Sequence, residues 1–193
     1  YWRMCLLLRG LVKLDCPSHF QIAAMAARCV FELLLDLKAL SAEPSLAEKF
    51  FDFTWVTRYH KASQLVDFLR RNPTLDRQPH QAAISLVEKP GVKDNRIQLC
   101  RRHGWVDSKG KPTWPLHWSG KDASLRAREA GVEYEEMYKS AFFIDSYYVH
   151  AGAAGVHKMS RESLACVFAY ARARIQRLFA EATEIIGDKF LLF

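Results

Sequence analysis

No stretch of 18 consecutive apolar residues occurs in this chain of 193, because Arg9 and Lys13 cut the first apolar run and Arg28 and Glu32 cut the next. A transmembrane span is therefore not expected. Glycine is scarce, and no glycine-rich loop is followed by Lys-Ser/Thr; Gly152-Ala153-Ala154-Gly155 reads only as a short turn. The missing phosphate-binding loop argues against nucleotide-dependent enzymes of the common classes. No Cys-x-x-Cys pair is present, and five cysteines are an odd number in a chain long enough to bury a core without staples. Reduced, mainly buried thiols are expected. Met4 to Leu8 is too short for a membrane helix and no small-residue cleavage site follows it, so cytoplasmic residence is expected. The first residue is Tyr1 rather than Met, as in a trimmed fragment. Internal repeats, low-complexity tracts and alternating strand patterns are absent, which leaves helices.

Half of the residues are hydrophobic and a quarter are charged, enough for one substantial core. The net charge of +7 is unevenly spread. From Arg70 to Glu129 there are 13 Lys/Arg against 6 Asp/Glu, while the rest of the chain carries 15 of each. The same stretch contains Trp105, Trp114 and Trp118, and cations interleaved with aromatics suit phosphate contact plus base stacking. Arg101, Arg102, Trp105, Trp118 and Lys121 are the candidate binding residues there. The other reading is a solvated basic loop region that keeps the protein soluble.

Helical periodicity gives the order of elements. A first helix over Tyr1 to Leu14 ends at Asp15-Cys16-Pro17, and a second, with Ser18 at its N-cap, runs to about Leu40. Ser45 and Glu48 match a capping box for a third helix to about Arg71. Its apolar seam, Phe51, Trp55, Tyr59, Ala62, Val66 and Leu69, is expected to pack antiparallel on the second helix. Prolines then weaken the pattern between Asn72 and Gly120, leaving room for short helices at His80 to Glu88 and Asp94 to Arg102. Helices follow over Asp122 to Ala130, Glu133 to His150, and from Ser160 to Gly187, the last with a bundle-type seam from Leu164 to Ile185. The expected fold is an all-α, single-domain antiparallel bundle over residues 1–193, with bundle helices at about 1–71 and 122–187 and an irregular basic segment at about 72–121.

The second helix is apolar on nearly every side, yet Gln21, Arg28, Glu32 and Asp36 recur at spacings of seven, four and four. At about 100° per residue they occupy one stripe roughly 80° wide. Such an ionic seam either faces water or lines a polar cleft. On the helix from Glu133, Tyr134, Tyr138, Phe142, Ser146 and His150 recur every four positions, and His150 falls in the last turn, where the helix dipole favours its cationic form. Arg28, Glu32 and His150 are therefore the catalytic candidates, with Tyr59 and Ser146 as candidate binding residues. In catalysis His150 would be general acid or base, Arg28 would stabilise an anionic transition state, and Glu32 would orient either. Asp145, Ser146 and His150 do not suit a hydrolase triad, since neighbours on a helix diverge by about 100°. Cys16-x-x-His19 and Cys100-x-x-His103 supply a ligand set that zinc accepts, but in the wrong pairing for a finger, so no metal and no cofactor is expected.

Arg28-Cys-Val-Phe-Glu32, the run Trp118-Ser-Gly-Lys-Asp-Ala-Ser-Leu-Arg-Ala-Arg-Glu-Ala-Gly131, Tyr138, and Ser146-x-x-x-His150 together resemble an uncharacterised bacterial all-helical family, a domain of unknown function. The resemblance covers about Ile22 to Gly155. It implies a helical domain with Arg28, Glu32, Ser146 and His150 as the family-type polar positions, and no established activity. Phe142 stands where a tyrosine would be expected. The leading functional expectation is a nucleic-acid-directed protein binding phosphates through its basic segment, with cleavage as the further option. The alternatives are a scaffolding bundle with an acidic protein partner or a second copy of itself, and a small-molecule enzyme with a pocket between helices.

Overall fold

A computed structural model describes residues 2–13, 16–142 and 161–190. Among them the chain is all-α, with eight α-helices: α1 Trp2–Val12, α2 Phe20–Ala42, α3 Ala47–Arg71, α4 Gln81–Glu88, α5 Val92–Arg102, α6 Ala123–Ala130, α7 Val132–Met137 and α8 Arg161–Phe190. A π-helical turn, Tyr138–Phe142, continues α7. No described helix is long and apolar enough to cross a membrane. The chain divides into two compact units. A terminal unit comprises Tyr1–Pro44 and Ala123–Phe193, and a central unit comprises Ser45–Asp122.

The terminal unit is built on α2 and α8, its most extensively packed pair, with α1 and α6 against α2. Ala23, Ala27, Val30, Phe31 and Leu34 from α2 share one buried cluster with Phe168, Ala171, Ile175, Leu178 and Ala182 from α8. The alternating spacing of the α8 residues sets its buried face, and the alanines on both helices let the backbones come close. Burying a side chain the size of Leu34 stabilises the fold by about 1.5–3 kcal/mol. Gly131, at φ +135°, separates α6 from α7 in a backbone conformation that residues with a Cβ rarely adopt.

In the central unit α3 packs with α4 and α5. Its buried positions are Val56, Tyr59, Ala62, Val66 and Leu69. The expected seam holds from Tyr59 onward, but Phe51 is 70 % exposed and Val56 takes over its role in the core. After α5 the backbone doubles back, with Trp105 N–H donating to Cys100 C=O (2.8 Å) and Thr113 N–H donating to Trp105 C=O (2.9 Å). Asp107 Oδ1 accepts the N–H groups of Lys109 (2.8 Å) and Lys111 (2.9 Å), which closes the turn between them. Trp105 joins Val56, Leu99 and Cys100 in a second buried cluster, flanked by Phe53, Trp55 and Trp114.

Two helix starts differ from expectation. Short 3₁₀ turns, Pro17–His19 and Pro44–Leu46, precede α2 and α3. The cap positions fall to His19 and Leu46, with no side-chain cap. Both turns open on proline, whose fixed φ suits the first helical position, so the chain begins to wind there before the α ladder is established. The cysteines are reduced among the described residues, but only Cys100 is buried; Cys16 and Cys166 are exposed.

Candidate functional site

In the terminal unit the ionic seam of α2 is knit together. Arg28 Nε donates to Glu32 Oε1 at 3.2 Å. Arg126, brought in by α6, places Nη1 3.1 Å from Asp36 Oδ1 and Nη2 4.0 Å from Glu32 Oε2. Arg126 is 9 % exposed at its side chain, and its Nε is buried without an acceptor. The seam is thus neither a bare water-facing stripe nor an open cleft: α6 covers part of it, and two guanidiniums alternate with two carboxylates. Arg126, counted by sequence among the excess basic charge, serves this network. Two residues beyond Asp36 on α2, Lys38 Nζ donates to the Tyr134 hydroxyl (2.8 Å) and to Glu181 Oε1 (3.0 Å), and the Tyr134 hydroxyl donates to the same carboxylate. Burial first, then the hydrogen bond and charge of Glu181, push the Tyr134 phenol well above its ordinary range.

A cleft of about 430 Å³ opens between α7 with its π-turn and α8, lined by Glu133, Glu136, Ser140, Tyr170, Arg174 and Arg177 among others. None of the residues singled out from sequence lines it. Arg177 Nη2 lies 3.5 Å from Glu133 Oε2, and the Arg174 guanidinium lies 5.2 Å from the Tyr170 ring centroid. Ser146 and His150 lie outside the described residues, so the convergence of His150 on Arg28 and Glu32 has no geometry to report.

The central unit holds 14 Lys/Arg against 8 Asp/Glu, a net +6, while the terminal unit is nearly balanced at 14 against 13. Arg58, Lys61, Arg77, Lys89, Lys93, Arg101, Lys109 and Lys111 are exposed. None of these eight has a carboxylate partner among the described residues. Arg101 and Lys121 are both on the surface. Arg102 is too, but its Nη1 pairs with Glu48 Oε1 at 2.9 Å and lies 3.9 Å from Asp52 Oδ2. Glu48, read from sequence as half of a capping box, is therefore engaged across to α5.

Trp105 and Trp118 play another part than the one sequence suggests. Trp105 and Trp118 are 4 % and 2 % exposed. Trp105 Nε1 donates to the Trp118 carbonyl at 3.1 Å, and the Trp118 ring packs edge-on against Phe50. Their faces make the core of the unit, because indole buries more apolar area than any loop could leave in water without cost. Trp114 is part-exposed and stacks on His60, with centroids 4.4 Å apart and planes 15° apart. Tyr59 is buried, stacked on Trp55, and the Arg96 guanidinium lies 5.7 Å from its ring centroid.

Sequence reasoning missed Asp52 and Arg96, and weighed His103 only as a zinc ligand. His103 Nε2 donates to Asp52 Oδ2 at 2.7 Å, a pairing of α3 with the end of α5 that no local pattern announces. Cys100 Sγ faces the Thr113 carbonyl at 3.6 Å, so neither half of that Cys-x-x-His pair is arranged for zinc. No group of three or more metal-ligating side chains occurs among the described residues. Arg96 did carry a signal: it stands four residues before Cys100 and seven before His103, on the face of α5 that turns inward.

A family model described as a family of unknown function, DUF5677, matches residues 1–163. No curated protein matches, and no solved structure matches.

Proposed function

The chain belongs to the DUF5677 family, a family of unknown function, and from that premise we propose that it is a nucleic-acid-directed protein whose central unit binds phosphates. The observation that carries this reading is the partition of charge: nearly all the positive excess lies in the central unit, on exposed cations that no described carboxylate neutralises. Cations left in this state gain most from a polyanion, whose condensed counterions are released when they bind. Arg101 and Lys121 are the phosphate contacts taken from the sequence, with Arg102 available by exchange of its exposed carboxylate partner. Binding is favoured over cleavage by the state of Arg28 and Glu32, which already pair with one another, Glu32 lying also 4.0 Å from Arg126.

Fluorescence anisotropy with labelled oligonucleotides tests the reading. With about five phosphate contacts, affinity for a duplex should fall by about 500-fold between 50 and 200 mM salt. No binding at the lower salt, or binding insensitive to salt, refutes it.

A further inference from the structure

The central unit contains three neighbouring polar side chains whose hydrogen-bonding groups meet no protein partner among the described residues. Tyr59 and His60 are consecutive on α3, and Arg96 of α5 brings its guanidinium to 5.7 Å from the Tyr59 ring centroid. The guanidinium lies over the Tyr59 ring, and its charge bears on both His60 and Cys100. Its Nε is buried without an acceptor, and no carboxylate pairs with it. Neither the Tyr59 hydroxyl nor a ring nitrogen of His60 makes a hydrogen bond to a described residue. Arg28, Arg102 and Arg126 all have carboxylates within 4.0 Å. Arg96 differs from them in having no carboxylate partner among the described residues, which leaves its terminal amines open to an acceptor from outside the fold.

The surroundings say what kind of acceptor. Trp55 stacks on Tyr59 and Trp114 on His60, both pairs within 15° of parallel, and both indoles are part-exposed. Trp114 is oriented by its Nε1, which donates to Thr57 Oγ1 at 3.4 Å. A lone guanidinium framed by flat, partly open aromatic surfaces combines an anion site with a platform for an unpaired base.

We propose that Arg96, His60 and Tyr59 form a phosphate site for single-stranded nucleic acid, with the neighbouring base stacked beside Trp114. This inference rests on the reading of the central unit as a nucleic-acid surface, and it names the strand form and the anchoring residues. The terminal amines of Arg96 meet two phosphate oxygens end-on, while Tyr59 and His60 each supply a neutral donor. In the free protein, burial and next the Arg96 charge lower the His60 pKa and so favour its neutral form. A duplex keeps its bases stacked on each other and cannot offer a face to Trp114, so single strands are preferred.

The probe is a labelled oligothymidylate of about ten nucleotides, titrated into the whole chain and into the Arg96→Gln variant. The variant should bind about tenfold more weakly or worse, and its salt slope should shrink by about 0.7, one phosphate contact on a single strand. In the unaltered protein, ring resonances of Tyr59 and His60 should shift on titration, a readout that does not depend on the variant folding. If a folded Arg96→Gln protein binds as tightly as the original, or the rings are unmoved at saturation, the site is wrong, although salt-dependent binding would leave the wider reading standing. If the unaltered chain binds neither the single strand nor a duplex, both fall together.

Discussion

Replacing Asp36 by alanine removes the main partner of a guanidinium that is 9 % exposed at its side chain. At 3.1 Å and an effective dielectric of about 20, the attraction between Arg126 and Asp36 is about 5 kcal/mol gross. Desolvation offsets much of that when the pair forms, but not when one member is deleted, because Arg126 then remains out of water with only Glu32 at 4.0 Å. Breaking such a pair costs about 3–5 kcal/mol when fully buried, and Asp36 retains some exposure, so the expected loss is about 2–4 kcal/mol. Urea unfolding followed by far-ultraviolet circular dichroism measures it. The double variant Asp36→Leu/Arg126→Met should lose less than Asp36→Ala, since it removes both charges and leaves neither stranded. As a reference, Arg70→Ala deletes an exposed pair with Asp67 and should cost below about 1 kcal/mol. If Asp36→Ala is as mild as Arg70→Ala, the seam is not a buried network and the argument fails.

Trp105→Ala should destabilise the central unit by about 3–5 kcal/mol, measured by urea unfolding, because the indole is core. A variant of unchanged stability with weakened oligonucleotide binding would instead make Trp105 a stacking surface. Burial, and next the charge of Arg96, hold the His60 imidazole below its ordinary 6.5. As pH falls through 6.5 the unfolded chain takes up a proton before the folded one does, so this contribution to stability is full above that pH and is lost toward the lower folded value. His60→Gln should therefore flatten part of the acid-side decline, and unfolding midpoints with the same pH dependence in both proteins contradict it. Burial raises the Cys100 thiol against a smaller opposing effect of Arg96. Iodoacetamide should accordingly modify exposed Cys16 and Cys166 well before Cys100 in peptide maps, and early labelling of Cys100 would overturn its assignment to the core.

Much of the helix order could be read from periodicity and breakers. The seam of α8 holds from Phe168 to Ala182, after which Ile186 is buried more deeply than Ile185, a drift expected when a straight helix is longer than its apolar repeat. Gly131 ends α6 where the pattern placed it. Helix starts were less legible, because Pro17 and Pro44 introduce 3₁₀ turns that shift the caps beyond Ser18 and Ser45. The α2 seam was recognisable as ionic, yet its main partner, Arg126, is 90 residues from Asp36, and long-range pairing leaves no trace in local spacing. Trp105 and Trp118 misled for a related reason: clustering in sequence cannot distinguish a stacking surface from a small core. Arg96 was hidden among many surface cations, and only its register with Cys100 and His103 set it apart.

Ultraviolet crosslinking of a bound single-stranded oligonucleotide, with the modified peptides identified by mass spectrometry, tests the assignment of the nucleic-acid surface most directly. The account predicts crosslinks within Ser45–Asp122, with Trp114 and its neighbours among the modified residues. Crosslinks confined to Tyr1–Pro44 and Ala123–Phe193 would contradict it.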